Sequence, residues 1–169
     1  MKIIVAVDQT NNWQEIIDSV TRSCWPNDAQ FKVLTVVEPI PNDAQNSPIV
    51  NACAKQIESQ KRKHAEKILS LARTRLIECL RDAQVHTELR EGAAAIEILE
   101  AATQWMPDKI IVGAHGANPN RLLPGRLSRS VARHAICSVE IVRLKSTASA
   151  SLDDMSKAAL ITAEPMART

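Results

Sequence analysis

Lys2 to Val7 is a continuous, mostly β-branched apolar run that stops at Asp8, the pattern of a strand buried on both faces of a parallel sheet. Trp13, Ile16, Ile17 and Val20 then recur at helical spacing, with Asn11 or Asn12 placed to cap the helix and Trp25-Pro26-Asn27-Asp28 to stop it. Phe31 to Val37 predicts a second buried strand, and Glu38 to Pro48, with three prolines, a long surface loop. From about Asn51 to Ala83 runs the longest helical pattern. Ile57, Ala65, Ile68, Leu69, Ala72, Leu76 and Leu80 form its apolar stripe, and charged residues fill the rest. Val85 to Arg90 alternates apolar and polar, as a half-exposed strand near a sheet edge does. Gly92 turns the chain into a helix over Ala93 to Trp105 that carries Ile96, Leu99 and small alanines suited to close packing on a sheet. Lys109 to Val112 predicts a fourth strand, Arg126 to His134 a fourth helix and Val139 to Leu144 a fifth strand.

This βαβαβαβαβ order specifies an open, mainly parallel sheet with helices on both faces, joined by right-handed crossovers. Past Lys145 the composition shifts to Ser, Thr, Ala and Asp, with a weak helical spacing in Leu152, Met155, Ala159 and Leu160. The expected organisation is a domain over 1–145 and a polar tail over 146–169.

The 169 residues suit one core, burying about two-thirds of the unfolded chain's surface. With no Tyr, one Phe and three Trp, the chain lacks stacking platforms for single-stranded nucleic acid, and a net charge of +2 does not mark a polyanion binder. Cys24, Cys53, Cys79 and Cys137 stand apart, with no C-x-x-C pair and no histidine at zinc-finger spacing. Buried free thiols are the expectation, and no metal centre. Met1 to Val7 is too short for a signal segment and no apolar stretch approaches ~18 residues, so the expected location is the cytoplasm, without a membrane partner.

Candidate chemistry gathers where the strand ending at Val112 meets Gly113, His115, Gly116 and, after a polar loop, Gly125 at the start of a helix. Glycines let backbone N–H groups approach a ligand, and a helix N-terminus offers unpaired donors and partial positive charge, an arrangement suited to phosphate. The same turn also serves as a plain connection in many α/β proteins. Asp8, at the carboxyl end of the central strand, lies beside the crevice where open α/β sheets bind ligands; capping the turn before the first helix is its other use. No nucleophile with a recognisable partner accompanies His115, so a loop role is favoured over general-base chemistry. Arg121, Arg126, Arg129 and Arg133 fall around the same loop and helix and make a phosphate-facing patch, or, for Arg129 and Arg133 at i,i+4, a solvated stripe.

Four stretches, in order, resemble the universal stress protein family: Ile3-Ile-Val-Ala-Val-Asp8, Leu34-Thr-Val-Val-Glu-Pro39, Glu91-Gly-Ala-Ala-Ala-Ile-Glu-Ile98, and Ile110-Ile-Val-Gly-Ala-His-Gly116 with Gly125-Arg-Leu-Ser and Ala132 to Arg143. The resemblance implies a Rossmann-like sheet of order 3-2-1-4-5, of the kind shared with adenine nucleotide alpha hydrolases, and homodimers formed through the last strand, Val139 to Arg143. In one branch it implies ATP, with Mg2+, between the first and fourth strands. Those members carry G-x2-G-x9-G-[ST]. Here Gly113 and Gly116 match, the interval to Gly125 is one residue shorter, Arg126 replaces the hydroxyl residue, and Ser128 matches a later one. By resemblance Asp8, Val37, Gly113, His115, Gly116, Gly125, Arg126, Leu127 and Ser128 form the nucleotide site, with a plain core position the equal alternative for Val37. The function implied is a non-enzymatic, ATP-binding sensor or adaptor with an unidentified protein partner. A nucleotide-free interaction protein of the same fold is the alternative, and slow ATP hydrolysis a third.

Overall fold

The computed structural model describes residues 1–9, 13–40, 48–81, 83–114 and 125–143. Five strands and four helices alternate: β1 (Lys2–Ala6), α1 (Trp13–Arg22), β2 (Gln30–Val37), α2 (Pro48–Cys79), β3 (Gln84–Glu91), α3 (Ala94–Trp105), β4 (Lys109–Gly113), α4 (Arg126–His134) and β5 (Ser138–Val142). The sheet order is β3-β2-β1-β4-β5, and every neighbouring pair is parallel. The α/β class, the order and the edge position of the alternating third strand are as expected.

Strand alternation divides the core in two. Ile3, Val5, Phe31, Val33 and Ile111 meet α1 and α2 through Ile16, Ile17, Val20, Ile68, Leu69, Ala72 and Leu76. Ile4, Ala6, Leu34, Ile110 and Val112 meet α3 and α4 through Ile98, Ala101, Ala102 and Val131. With both faces covered, β1 has no solvent side, which is why its sequence reads as an unbroken apolar run.

The structure corrects several expectations. α2 starts at Pro48 rather than near Asn51, because proline's fixed φ suits a first helical turn whose N–H groups have no intrahelical acceptor. Ile57, assigned to its buried stripe, is 47% exposed, since it falls on the flank of the arc that Ala54, Ala65, Ala72 and Leu76 bury. Ile96 is 56% exposed, two residues before buried Ile98 and therefore on the opposite side of α3. The thiols are free but not buried: Cys24, Cys53 and Cys79 are exposed and Cys137 is half-buried. A turn, a helix flank and a helix end hold the first three. Burial against the α3–α4 side of the core, and then the charge of Asp108, push the Cys137 thiol above its ordinary pKa. The tail from residue 146 onward, Asn11 and Asn12 lie outside the described residues.

Candidate functional site

β1 lies at the sheet's switch point, with β2 on one side and β4 on the other, so the chain leaves it and β4 in different directions and opens a crevice at their carboxyl ends. Two hydrogen bonds hold the end of β1: Val7 N–H donates to the Leu34 carbonyl at 2.9 Å, and the buried Thr35 hydroxyl donates to the Val7 carbonyl at 2.6 Å. Asp8 follows, half-buried at the rim.

Across the crevice, Ala114 continues β4 and donates its N–H to the Val142 carbonyl at 2.7 Å. The chain returns at Gly125, whose N–H donates to the Ala114 carbonyl at 2.7 Å. Ser128, 1% exposed, directs its hydroxyl to the same carbonyl at 3.1 Å and to that of Gly125 at 3.2 Å. The strand end and the helix start are thus tied together, and this hydroxyl is already committed to backbone carbonyls.

The resulting cleft has a volume of about 160 Å³. Leu34, Val36, Ile98 and Val112 make apolar walls, Ala6 and Ala94 leave room between them, and Asp8, Gly113, Gly125, Arg126, Leu127 and Ser128 form the rim. Six of the nine residues expected at the site therefore share one cleft. Val37 does not line it. Strand alternation turns Val37 to the other face, where it is buried and lines a second cavity of about 330 Å³ with Pro39, Glu58, Ser59, Arg62 and Glu91. There Arg62 pairs with Glu91 at 2.7 Å. His115 and Gly116 lie outside the described residues.

Sequence reasoning missed Leu34, Val36, Ala94 and Ile98. The signal was present: Leu34 and Val36 are two apart on one strand, and Ala94 and Ile98 are i,i+4 at the start of α3.

The ends of the cleft differ in charge. α4 begins at Gly125 without a side-chain cap, and helix geometry leaves the amides of Arg126, Leu127 and Ser128 without intrahelical acceptors. The Arg126 side chain is exposed and forms no ion pair among the described residues. By their chemistry the walls suit an apolar group, the start of α4 an anion, and Asp8 a hydroxyl or amine donor. Among the described residues no group of three or more His, Cys, Asp or Glu is arranged to hold a metal, so a divalent cation here would depend on Asp8 and on ligand oxygens. No helix among the described residues is long and apolar enough to cross a membrane.

Two relatives come from Coxiella burnetii. Universal stress protein A homolog 2 is 43% identical over 60 residues, covering 36% of this chain and 41% of that protein. Universal stress protein A homolog 1 is 27% identical over 146 residues, 85% of this chain and 96% of that protein. Among solved structures, UspA from Lactobacillus plantarum superposes with a TM-score of 0.69 at 23% identity, over 85% of this chain and 97% of that one. A family protein from Arabidopsis thaliana solved with AMP bound matches with a TM-score of 0.62 at 15% identity, over 86% and 93% of the two chains. A universal stress protein solved in complex with cAMP matches at 0.60 and 18%, over 86% and 98%. The structural likenesses show the fold; the sequence profile of the Universal stress protein family matches residues 1–143, and the chain belongs to that family.

Proposed function

We propose that this protein binds an adenine nucleotide in the cleft between the ends of β1 and β4 and acts, as a cytoplasmic homodimer, as a stress-response sensor or adaptor for another protein. The observation that carries the reading is the cleft itself: an apolar slot at the switch point with a carboxylate at one end and a helix N-terminus plus Arg126 at the other. The AMP and cAMP complexes of related folds support the choice of an adenine nucleotide. The base would lie between Leu34, Val36 and Ile98, Asp8 would accept from ribose, and phosphate would meet the α4 amides and Arg126. ATP with Mg2+ is the fuller version of the same proposal, with Asp8 the carboxylate that lines the cleft. Catalysis has no part in this reading. Its organisation is a domain over 1–145 and a tail over 146–169, with the dimer formed by the Val139 to Arg143 strand.

Two observations favour a nucleotide-free interaction protein instead. The cleft's 160 Å³ is below the ~300 Å³ at which small-molecule sites begin, and the Ser128 hydroxyl is already committed.

Denaturing freshly purified protein and identifying the released small molecules by mass spectrometry, then titrating the stripped protein with AMP, cAMP and ATP plus Mg2+ by calorimetry, decides between them. The expected outcome is retained nucleotide or micromolar-range binding, and Arg126→Ala weakening it by about 1.4 kcal/mol, tenfold. No nucleotide and no heat would favour the interaction protein. Tighter binding in Arg126→Ser would mean that Arg126 blocks the cleft rather than serving it.

A further inference from the structure

α4 carries three arginines and no acidic residue. Arg126, Arg129 and Arg133 follow an i, i+3, i+7 spacing that puts them on one narrow face, and all three are exposed. Among the described residues none of them forms an ion pair or a side-chain hydrogen bond. Within the described fold this charge is unrewarded. Arg129 and Arg133 repel at i,i+4, and Arg126 sits in the first turn, where the helix dipole disfavours a cation. An anionic occupant would relieve both.

The chain itself supplies a candidate. β5 ends at Val142, whose carbonyl is bonded to Ala114, and the Ala114 carbonyl is bonded to Gly125 at the start of α4. The sequence therefore leaves the sheet two hydrogen bonds from the basic face. From Leu144 to Leu152 it carries one charge, Lys145, and then presents Asp153-Asp154, the first acidic residues after Glu140. Extended, the stretch from 143 to 153 spans up to about 36 Å, whereas α4 is only about 13.5 Å long.

We propose that the chain's own C-terminal segment, through Asp153 and Asp154, docks on the face of α4 formed by Arg126, Arg129 and Arg133. Covalent attachment makes the contact intramolecular, at an effective concentration in the millimolar range, so a contact with a millimolar dissociation constant, too weak to hold a dilute free partner, is half occupied. Leu152 and Met155 flank the acidic pair, and Ile136, just past α4, is 57% exposed. Arg126 lines the cleft but Arg129 and Arg133, the two arginines that the test changes, do not, so the test reads docking apart from nucleotide binding.

Limited chymotrypsin digestion of the full chain tests it, reading cleavage at Leu152, Met155 and Leu160 by intact mass. Four proteins are compared: wild type, Arg129→Glu with Arg133→Glu, Asp153→Arg with Asp154→Arg, and the combination of all four changes. Each rate is divided by that of a synthetic 146–169 peptide carrying the same residues, which removes the effect of local sequence on the protease. Each reversal alone should speed cleavage severalfold, added salt should do the same to wild type, and the combined protein should return to the wild-type rate. Equal rates in all four, or no restoration in the combination, would overturn the proposal. So would protection that fades when wild type is diluted, because the segment would then come from a second copy. The aspartate variants change nothing in the described fold, so the test survives if the arginine pair proves unstable.

Discussion

The sheet has two edges, and they handle exposure in opposite ways. At the β3 edge the charges are engaged with one another. Glu88, with its side chain 25% exposed, accepts from Lys32 at 2.6 Å and from Arg90 at 2.5 Å, and Arg90 continues to Gln104 at 2.5 Å and Glu97 at 3.6 Å on α3. Lys32 also lies 5.0 Å from the centre of the Trp105 ring. β5 is five residues long, with Val139 and Ile141 half-buried and one ion pair among the described residues, Lys109 to Glu140 at 2.9 Å. A charged, cross-linked edge resists pairing with another chain; an apolar one with unpaired backbone groups invites it. Their difference is the reason the proposed dimer contact is placed at β5 rather than β3.

Removing the hub of the β3 network should have the largest effect. Glu88→Ala leaves Lys32 and Arg90, 16% and 14% exposed, without their shared acceptor. The expected cost is about 2 kcal/mol, read by urea unfolding, and less than for a fully buried pair because Arg90 keeps Glu97 and Gln104. The same carboxylate makes stability depend on pH. Burial pushes its pKa up, but hydrogen bonds and charge from Lys32 and Arg90 outweigh that and hold it below 4.5. A depressed folded-state pKa contributes stability that is present above the ordinary value and is lost as pH falls through the folded one. Wild type should therefore lose stability below about pH 4.5 more steeply than Glu88→Gln. Parallel acid-unfolding curves for the two would remove Glu88 from the explanation.

At the other edge, Ile141→Pro tests the pairing. The Val142 carbonyl points toward β4, where it accepts from Ala114, so by alternation the Ile141 N–H points away from the sheet. Proline there removes an outward donor and leaves the β4–β5 ladder intact. Sedimentation should show self-association weakened tenfold or more, about 1.4 kcal/mol, with an unchanged circular dichroism spectrum. A wild-type monomer at tens of micromolar would end the proposal that β5 forms the dimer.

Ser128→Ala asks how firmly the β5 side is tied to the cleft. Losing the hydroxyl that spans the Ala114 and Gly125 carbonyls should cost about 1 kcal/mol of stability, with little change in nucleotide affinity, because that hydroxyl faces backbone rather than ligand. A large loss of affinity at unchanged stability would make Ser128 a ligand contact after all. Smallest of all should be Glu140→Ala. Its side chain is 38% exposed and its pair with Lys109 is screened by solvent, so a change of at most about 0.5 kcal/mol is expected, against the larger loss at Glu88. Equal costs would erase the contrast between the edges.

Much of this was legible in the order of residues. The alternation in Val85 to Arg90 marked β3 as half-exposed, and the unbroken run from Lys2 to Val7 marked β1 as central; both follow from which faces each strand buries. Asp8, Gly113, Gly125 and Arg126 were legible as residues of the cleft because they follow strand ends or open a helix. Val37 was assigned there by resemblance, yet its own strand turns it to the far face and puts Leu34 and Val36 in the cleft.

By itself the sequence determined the class of fold, the alternation of strand and helix and the family, because these rest on periodicity and on local chemistry that each segment carries alone. Tertiary structure decided the rest. It set which flank of each helix is covered, so that Ile57 and Ile96 face solvent and three cysteines are exposed. It engaged the Ser128 hydroxyl with two carbonyls and left Arg126, Arg129 and Arg133 without counter-charges among the described residues. Burial and pairing depend on what a neighbouring element brings to the same place, and that partner is distant in the chain: Lys32 lies 56 positions from Glu88, and Val7 lies 28 from Thr35.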